Sequence, residues 1–170
     1  MSGLRVSVYG VKELQAVILA MKALDRDLKK TLRAQTREVV GAIWKQSIAE
    51  NVQSRMESRV LGDTARVKVS DQNVTLTSAS VGRKMSGGVK PSEVFASVEF
   101  GNYPERRRTY TARSKRGNSY DVTRRTAAQF RPKNREGYVV WPAAAEAVPR
   151  IAALWVQTIA RGIHEAFEKR

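Results

Sequence analysis

Between Val11 and Asn51 the residues Leu14, Val17, Met21, Leu24, Leu28, Leu32, Gln35, Val39 and Ala42 recur at spacings of three and four. That spacing draws one stripe along an α-helix, and an apolar stripe must be covered. A continuous helix over this stretch would be about 60 Å long at 1.5 Å per residue. Asp25 and Asp27 stand at the head of DLKKTLRAQ, where acids favour a helix start, so the stretch can be read as one helix or as two with a kink or break near Asp25–Asp27. Gly41 weakens the run by about 1 kcal/mol relative to alanine. The stripe has two ways to be covered: strands of its own chain, or a neighbouring copy in a coiled coil or ring. The strands that follow favour the first.

Leu4 to Tyr9 alternates Leu4, Val6 and Val8 against Arg5, Ser7 and Tyr9, a half-buried strand ended by Gly10. Thr64 to Ser70 alternates in the same way, with Ala65, Val67 and Val69 inward and Arg66 and Lys68 outward. Asp71-Gln72-Asn73 makes a turn, and Val74 to Val81 returns as the antiparallel partner. Gln53 to Leu61 is polar and reads as a connector. Phe95 to Asn102 (FASVEFGN) reads as a third strand of this sheet, because Val94, Ala96, Val98 and Phe100 alternate with Phe95, Ser97 and Glu99. Tyr138 to Trp141 (YVVW) reads as a short buried strand ended by Pro142, after which Ala143 opens a helix. Pro149 is expected as the first residue of a new helical run, with Ile151, Trp155, Ile159, Ile163 and Phe167 on one face. The fold expected is α+β: a small, mostly antiparallel sheet of four or five strands, packed against a long N-terminal helical region and a C-terminal helix. A chain of 170 residues forms one domain and can bury roughly 70% of its unfolded surface.

Residues 101–137 hold eleven basic residues against three acids, a surplus of eight out of a formal net charge of +15. Within the excursion 102–137, RRTYTAR and NSYDVTR flank Ser114-Lys115-Arg116-Gly117, which reads as a protruding β-hairpin arm from about Arg107 to Arg125 with Gly117 in its turn. From Arg107 on, Tyr110, Tyr120, Val122 and Phe130 are its only large apolar residues, too few for a core. The candidate contact residues are Arg106, Arg107, Arg108, Tyr110, Arg113, Lys115, Arg116, Tyr120, Arg124, Arg125, Phe130 and Arg131. Arginine interleaved with aromatics suits phosphate contact with base stacking. It suits equally a protein interface anchored by Arg and Tyr.

The chemistry of catalysis is hard to assemble from this composition. With no cysteine and one histidine, His164, thiol nucleophiles, thiolate metal sites and His-rich centres are excluded. The loop GRKMSGGVKP, Gly82 to Pro91, lacks the spacing of a phosphate-binding loop, and no helix start is expected after it. Glu99 sits at a predicted strand end without a second carboxylate at a recognisable spacing, so it reads as an ion pair or cap rather than an acid–base group. His164 reads as a surface residue without a ligand partner at i±4. No enzyme activity, cofactor, metal or small-molecule substrate is expected. Neither a signal peptide nor a membrane span is expected.

The order of parts resembles the tail-completion or head–tail joining (neck) proteins of bacteriophages with long, non-contractile tails. The likeness runs over nearly the whole chain: the long N-terminal helical region, RVLGDTARVKVS, VTLTSAS, the Gly82–Gly88 loop, VEFG (with Glu99, Phe100 and Gly101), an arginine-rich excursion, and YVVWPAAAE with Trp141-Pro142-Ala143 entering the last helix. The length and charge of the arm depart from compact members of that family. The resemblance implies a structural virion protein, assembled in the host cytoplasm, that forms a homo-oligomeric, sixfold ring between the head-closure proteins and the tail. Its expected partners are head-closure, tail-terminator or tail-tube proteins, with contact to DNA in the channel. The alternative is a basic nucleic-acid-binding module that uses the arginine-rich arm.

Overall fold

The computed structural model describes residues 4–7, 12–86, 88–102, 108–124 and 129–168. The class is α+β. Strands β1 (Leu4–Ser7), β2 (Arg66–Val69) and β3 (Val74–Ser78) form an antiparallel sheet with β3 in the middle. Leu4 pairs with Ser78 on one side of β3, and Val69 pairs with Val74 on the other. A separate hairpin, β4 (Arg108–Arg113) and β5 (Ser119–Arg124), pairs only within itself among the described residues.

The N-terminal helical region is two helices, α1 (Lys12–Ala23) and α2 (Arg26–Asn51). They part at Leu24-Asp25, where Asp25 turns extended at ψ 157°, which decides between the one helix and the two that the sequence left open. The buried row of α2 is Leu32, Thr36, Val40, Trp44, Ser47 and Ile48. Gln35, Val39 and Ala42, placed on the stripe by sequence, are exposed. The true row steps by four from Leu32 and passes through two small hydroxyl residues, which hydrophobic spacing skips. Trp44 is fully buried and its indole donates to the Thr77 carbonyl at 3.2 Å, tying α2 to the sheet.

Residues 53–61 are not a polar connector. Ser54 caps a short helix, α3 (Arg55–Glu57), which widens into a π-helical turn over Ser58–Gly62. There the Asp63 amide reaches back to the Ser58 carbonyl at 2.8 Å. Such widening leaves carbonyls without helical partners. The Thr64 hydroxyl donates to the Val60 carbonyl and accepts from the Ala79 amide at 2.7 Å, while the Ser78 hydroxyl donates to the Leu61 carbonyl at 2.9 Å.

The expected third strand is a helix, α4 (Pro91–Glu99). Val94 and Val98 fit both a period of two and a step of four, so alternation alone misleads here. The buried set Pro91, Val98 and Glu99, with Val94 and Phe95 half-buried, follows the helical period. The missed signal was punctuation: Pro91 in the first turn, Glu93 two residues on, and Gly101 just beyond the end at φ 69°. The Gly82–Lys90 loop therefore does run into a helix start, and Gly101 closes α4 with a left-handed residue that only glycine takes cheaply.

The expected fourth strand is likewise absent. Residues 138–139 are irregular, and α5 runs unbroken from Val140 to Glu168 with Pro149 inside it. Pro149 does not start a new run, because Ala143, Ala147, Ile151, Trp155 and Ile159 hold one buried face across it. Pro149 and Ala145, whose carbonyl loses a donor, are both exposed, so water can serve that carbonyl. Helix α5 packs mainly on α2. The approach is close at Gly162, where a Cβ would lie 2.3 Å from Leu32 Cδ2. Phe167 lies outside the residues whose side chains are described.

Helix α5 opens in a buried setting, and its first amides need acceptors. Glu99, only 1% exposed, supplies them. Its carboxylate accepts from Val139 at 3.4 Å, from Val140 at 2.9 and 3.0 Å, and from Trp141 at 2.9 Å. The next residue, Pro142, has no N–H, and the Ala143 amide makes the first helical bond to the Val139 carbonyl at 3.1 Å. Glu99 is thus the cap of the last helix, where its charge also meets the positive end of the helix dipole.

Replacing Glu99 with alanine strands the buried Val139 and Val140 amides and the part-buried Trp141 amide and is expected to cost about 3–5 kcal/mol. Glu99→Gln is expected to lose part of that, since an amide offers one acceptor oxygen. Urea or thermal unfolding monitored by circular dichroism checks the order wild type, Gln, Ala; an alanine variant as stable as wild type would refute this role for Glu99.

Candidate partner-binding arm

The arm is built from its base. Past Gly101 the chain leaves the core, and it comes back at Arg131. The Asn102 amide donates to the Arg131 carbonyl at 2.9 Å, and the Asn134 amide donates to the Phe100 carbonyl at 2.8 Å. These two bonds tie the outgoing and returning strands together. A Cβ on Gly101 would sit 2.0 Å from the Pro132 carbonyl oxygen, and one on Gly137 would sit 2.3 Å from Glu99 Oε1. Both glycines let the returning segment lie against the capped end of α5.

Arg131 locks the same joint from the side. Its guanidinium meets the Glu57 carboxylate with Nε–Oε1 at 2.9 Å and Nη2–Oε2 at 3.1 Å. It also lies over the Tyr138 ring, 4.6 Å from its centroid. The Glu57 carboxylate, 4% exposed, accepts as well from the Gln53 and Ser54 amides at 2.8 and 3.0 Å. Bidentate arginine–carboxylate pairing with those extra donors fixes geometry as well as energy. Phe130 packs half-buried against the core. Arg131 and Phe130, both read from sequence as arm contacts, are therefore part of its foundation.

Beyond the base, the hairpin register pairs Arg108 with Arg124, Tyr110 with Val122, Ala112 with Tyr120 and Arg113 with Ser119. Alternation places Tyr110, Ala112, Tyr120 and Val122 on one face. On the other, the Thr109 and Thr123 hydroxyls bond each other at 2.9 Å, and Thr111 donates to Asp121 at 2.8 Å. The turn closes with the Ser114 amide donating to the Asn118 carbonyl at 2.9 Å and with Gly117 at φ 85°. Tyr110 and Tyr120 are 38% and 52% exposed. Arg113, Lys115 and Arg116 are exposed around the tip. Arg108 and Arg124 are described by backbone alone, and Arg106, Arg107 and Arg125 lie outside the described residues.

The remaining sequence candidates settle as structure. Glu99, Phe100 and Gly101 form the joint between α4, α5 and the arm. Trp141 and Pro142 lie in the first turn of α5, with Trp141 44% exposed. His164 does have an i+4 neighbour, Glu168, with Nδ1–Oε2 at 3.6 Å on an exposed surface. Among the described residues no three His, Asp or Glu side chains gather as a metal site, and no helix is long and apolar enough to cross a membrane.

Replacing residues 108–124 with a short Gly-Ser turn is expected to leave the core's unfolding midpoint within a few degrees, because the joint lies outside the excised part. Arg131→Ala is expected to cost about 3 kcal/mol by stranding Glu57. Equal losses in the two variants, read by thermal unfolding, would contradict this division between base and tip. Comparisons of the chain with protein-family models, with curated proteins and with solved structures found no match.

Proposed function

We propose that this protein is a structural assembly subunit, a component of a bacteriophage neck that forms an oligomeric ring and joins the head-closure proteins to the tail, with the hairpin as its protruding contact arm. The observation that carries the reading is a self-paired hairpin with exposed Tyr110 and Tyr120 and a cationic tip, set between two chain segments that Glu57–Arg131 and the Phe100–Asn134 bond hold to the core. A two-stranded ribbon contributes little to its own stability. Its aromatic face suits contact with another subunit, where Tyr and Arg are the residues that anchor interfaces. The resemblance in chain order noted above supplies the neck context. A ring whose subunits each carry +15 needs acidic neighbours or channel DNA beside it.

In the neck reading, arm-deleted protein folds but does not support joining of heads to tails in a complementation assay, and electron microscopy of the intact protein in high salt shows rings with an axial channel. Joining by arm-deleted protein would remove the arm from the function.

A second reading is favoured by Tyr110 and Tyr120 sharing one face of a cationic hairpin, the arrangement that stacks bases and meets phosphates. If about six arm residues contact duplex phosphates, log K against log[salt] falls with a slope near −5. Replacing Arg106, Arg107, Arg108, Arg124 and Arg125 with alanine then flattens the slope; an unchanged slope excludes the arm from nucleic-acid binding.

A further inference from the structure

A second cationic feature lies away from the arm. The π-helical turn, the start of β2 and the loop before α4 enclose a cleft of about 460 Å³. Arg59, Arg66, Arg83 and Lys84 line it against a single acid, Asp63. Arg66 is held in place, its Nη1 donating to the Asp63 and Ala65 carbonyls at 3.1 and 2.8 Å. Arg59, Arg83 and Lys84 are exposed and have no ion-pair partner among the described residues. The loop that carries Arg83 and Lys84 is closed on itself, with the Met85 amide donating to the Val89 carbonyl and the Gly88 amide to the Met85 carbonyl, both at 2.9 Å. Its start is pressed onto α4, since a Cβ on Gly82 would lie 2.6 Å from Pro91 Cγ.

Like charges gathered around a cavity repel one another, and an anion bound between them relieves that repulsion. The rest of the lining says which anion. Val81, 52% exposed, and Met85, half-buried, stand beside the cations. Apolar side chains next to arginines match a peptide with both carboxylates and an apolar residue. A duplex backbone presents phosphates along a convex surface and gives Val81 and Met85 nothing to cover. We infer that this cleft is a docking site for an acidic segment of a partner protein, one that presents carboxylates to Arg59, Arg83 and Lys84 and an apolar side chain to Val81 and Met85. The inference stands apart from the neck reading and from the arm.

The test compares two triple variants of the full chain that each remove three positive charges: Arg59→Ala/Arg83→Ala/Lys84→Ala in the cleft and Arg113→Ala/Lys115→Ala/Arg116→Ala on the arm. The probes are a labelled peptide of alternating Glu and Leu and a labelled DNA duplex, titrated by fluorescence anisotropy at physiological salt. All six replaced residues are exposed, so both variants should unfold at the wild-type midpoint. The cleft variant is expected to bind the peptide at least about tenfold more weakly, and the arm variant within about twofold of wild type. Equal weakening by both variants would reduce the effect to net charge and overturn the site. Loss of duplex binding but not of peptide binding in the cleft variant would overturn it in favour of nucleic acid.

Discussion

One buried carboxylate joins the end of helix α4 to the start of helix α5. Helix α5 supplies much of the core through Ala143, Ala147, Ile151, Trp155 and Ile159, and the residues at its start, Val139 and Val140, are buried as well. An uncapped helix start in that position would leave its first amides desolvated, each at a cost of about 1–3 kcal/mol. Glu99 meets Val139, Val140 and Trp141, and Pro142 removes the donor it does not reach. The acid comes from the last residue of α4, so the position of α4 depends on the start of α5 and the reverse. Gly101 and Gly137 follow from the same joint, because side chains there would strike Pro132 and the Glu99 carboxylate.

That joint is also where the arm departs. Phe100 and Asn102, immediately after Glu99, bond to Asn134 and Arg131 across the base of the excursion. Arg131 then reaches to Glu57, which is itself bound to the start of α3. The segments on either side of the excursion, 100–102 and 131–134, are thus held to α3, α4 and α5. This separates two tasks. The base packs on the core, and the hairpin beyond it pairs only within itself among the described residues.

Charge is divided in a related way. Glu57 and Glu99 are buried in structural roles, Asp71 faces Arg33 at 3.5 Å, Glu93 accepts from the Lys90 amide, and Asp121 accepts from Thr111. Much of the acid in the chain is thus engaged locally, whereas Arg113, Lys115 and Arg116 on the arm and Arg83 and Lys84 on the loop face solvent. A surface of this kind repels copies of itself and attracts acidic surfaces.

The sequence by itself determined what depends on neighbours along the chain. The β2–β3 hairpin was legible from clean alternation around Asp71-Gln72-Asn73 and the arm hairpin from Gly117 between two alternating segments, whereas the paired acids Asp25 and Asp27 left one N-terminal helix or two open. Only the tertiary structure decided the rest, because there the local signal was degenerate. Val94 and Val98 satisfy a strand and a helix equally, and what selects the helix is the burial of Pro91, Val98 and Glu99 together. Val139 and Val140 look like a strand until a carboxylate forty residues earlier in the chain turns them into a helix start. Arg131 and Phe130 have the composition of a binding surface, and only the distance to Glu57 shows them to be foundation. The cleft around Arg59, Arg66, Arg83 and Lys84 left no trace in spacing at all, since its cations come from three segments that meet only after folding.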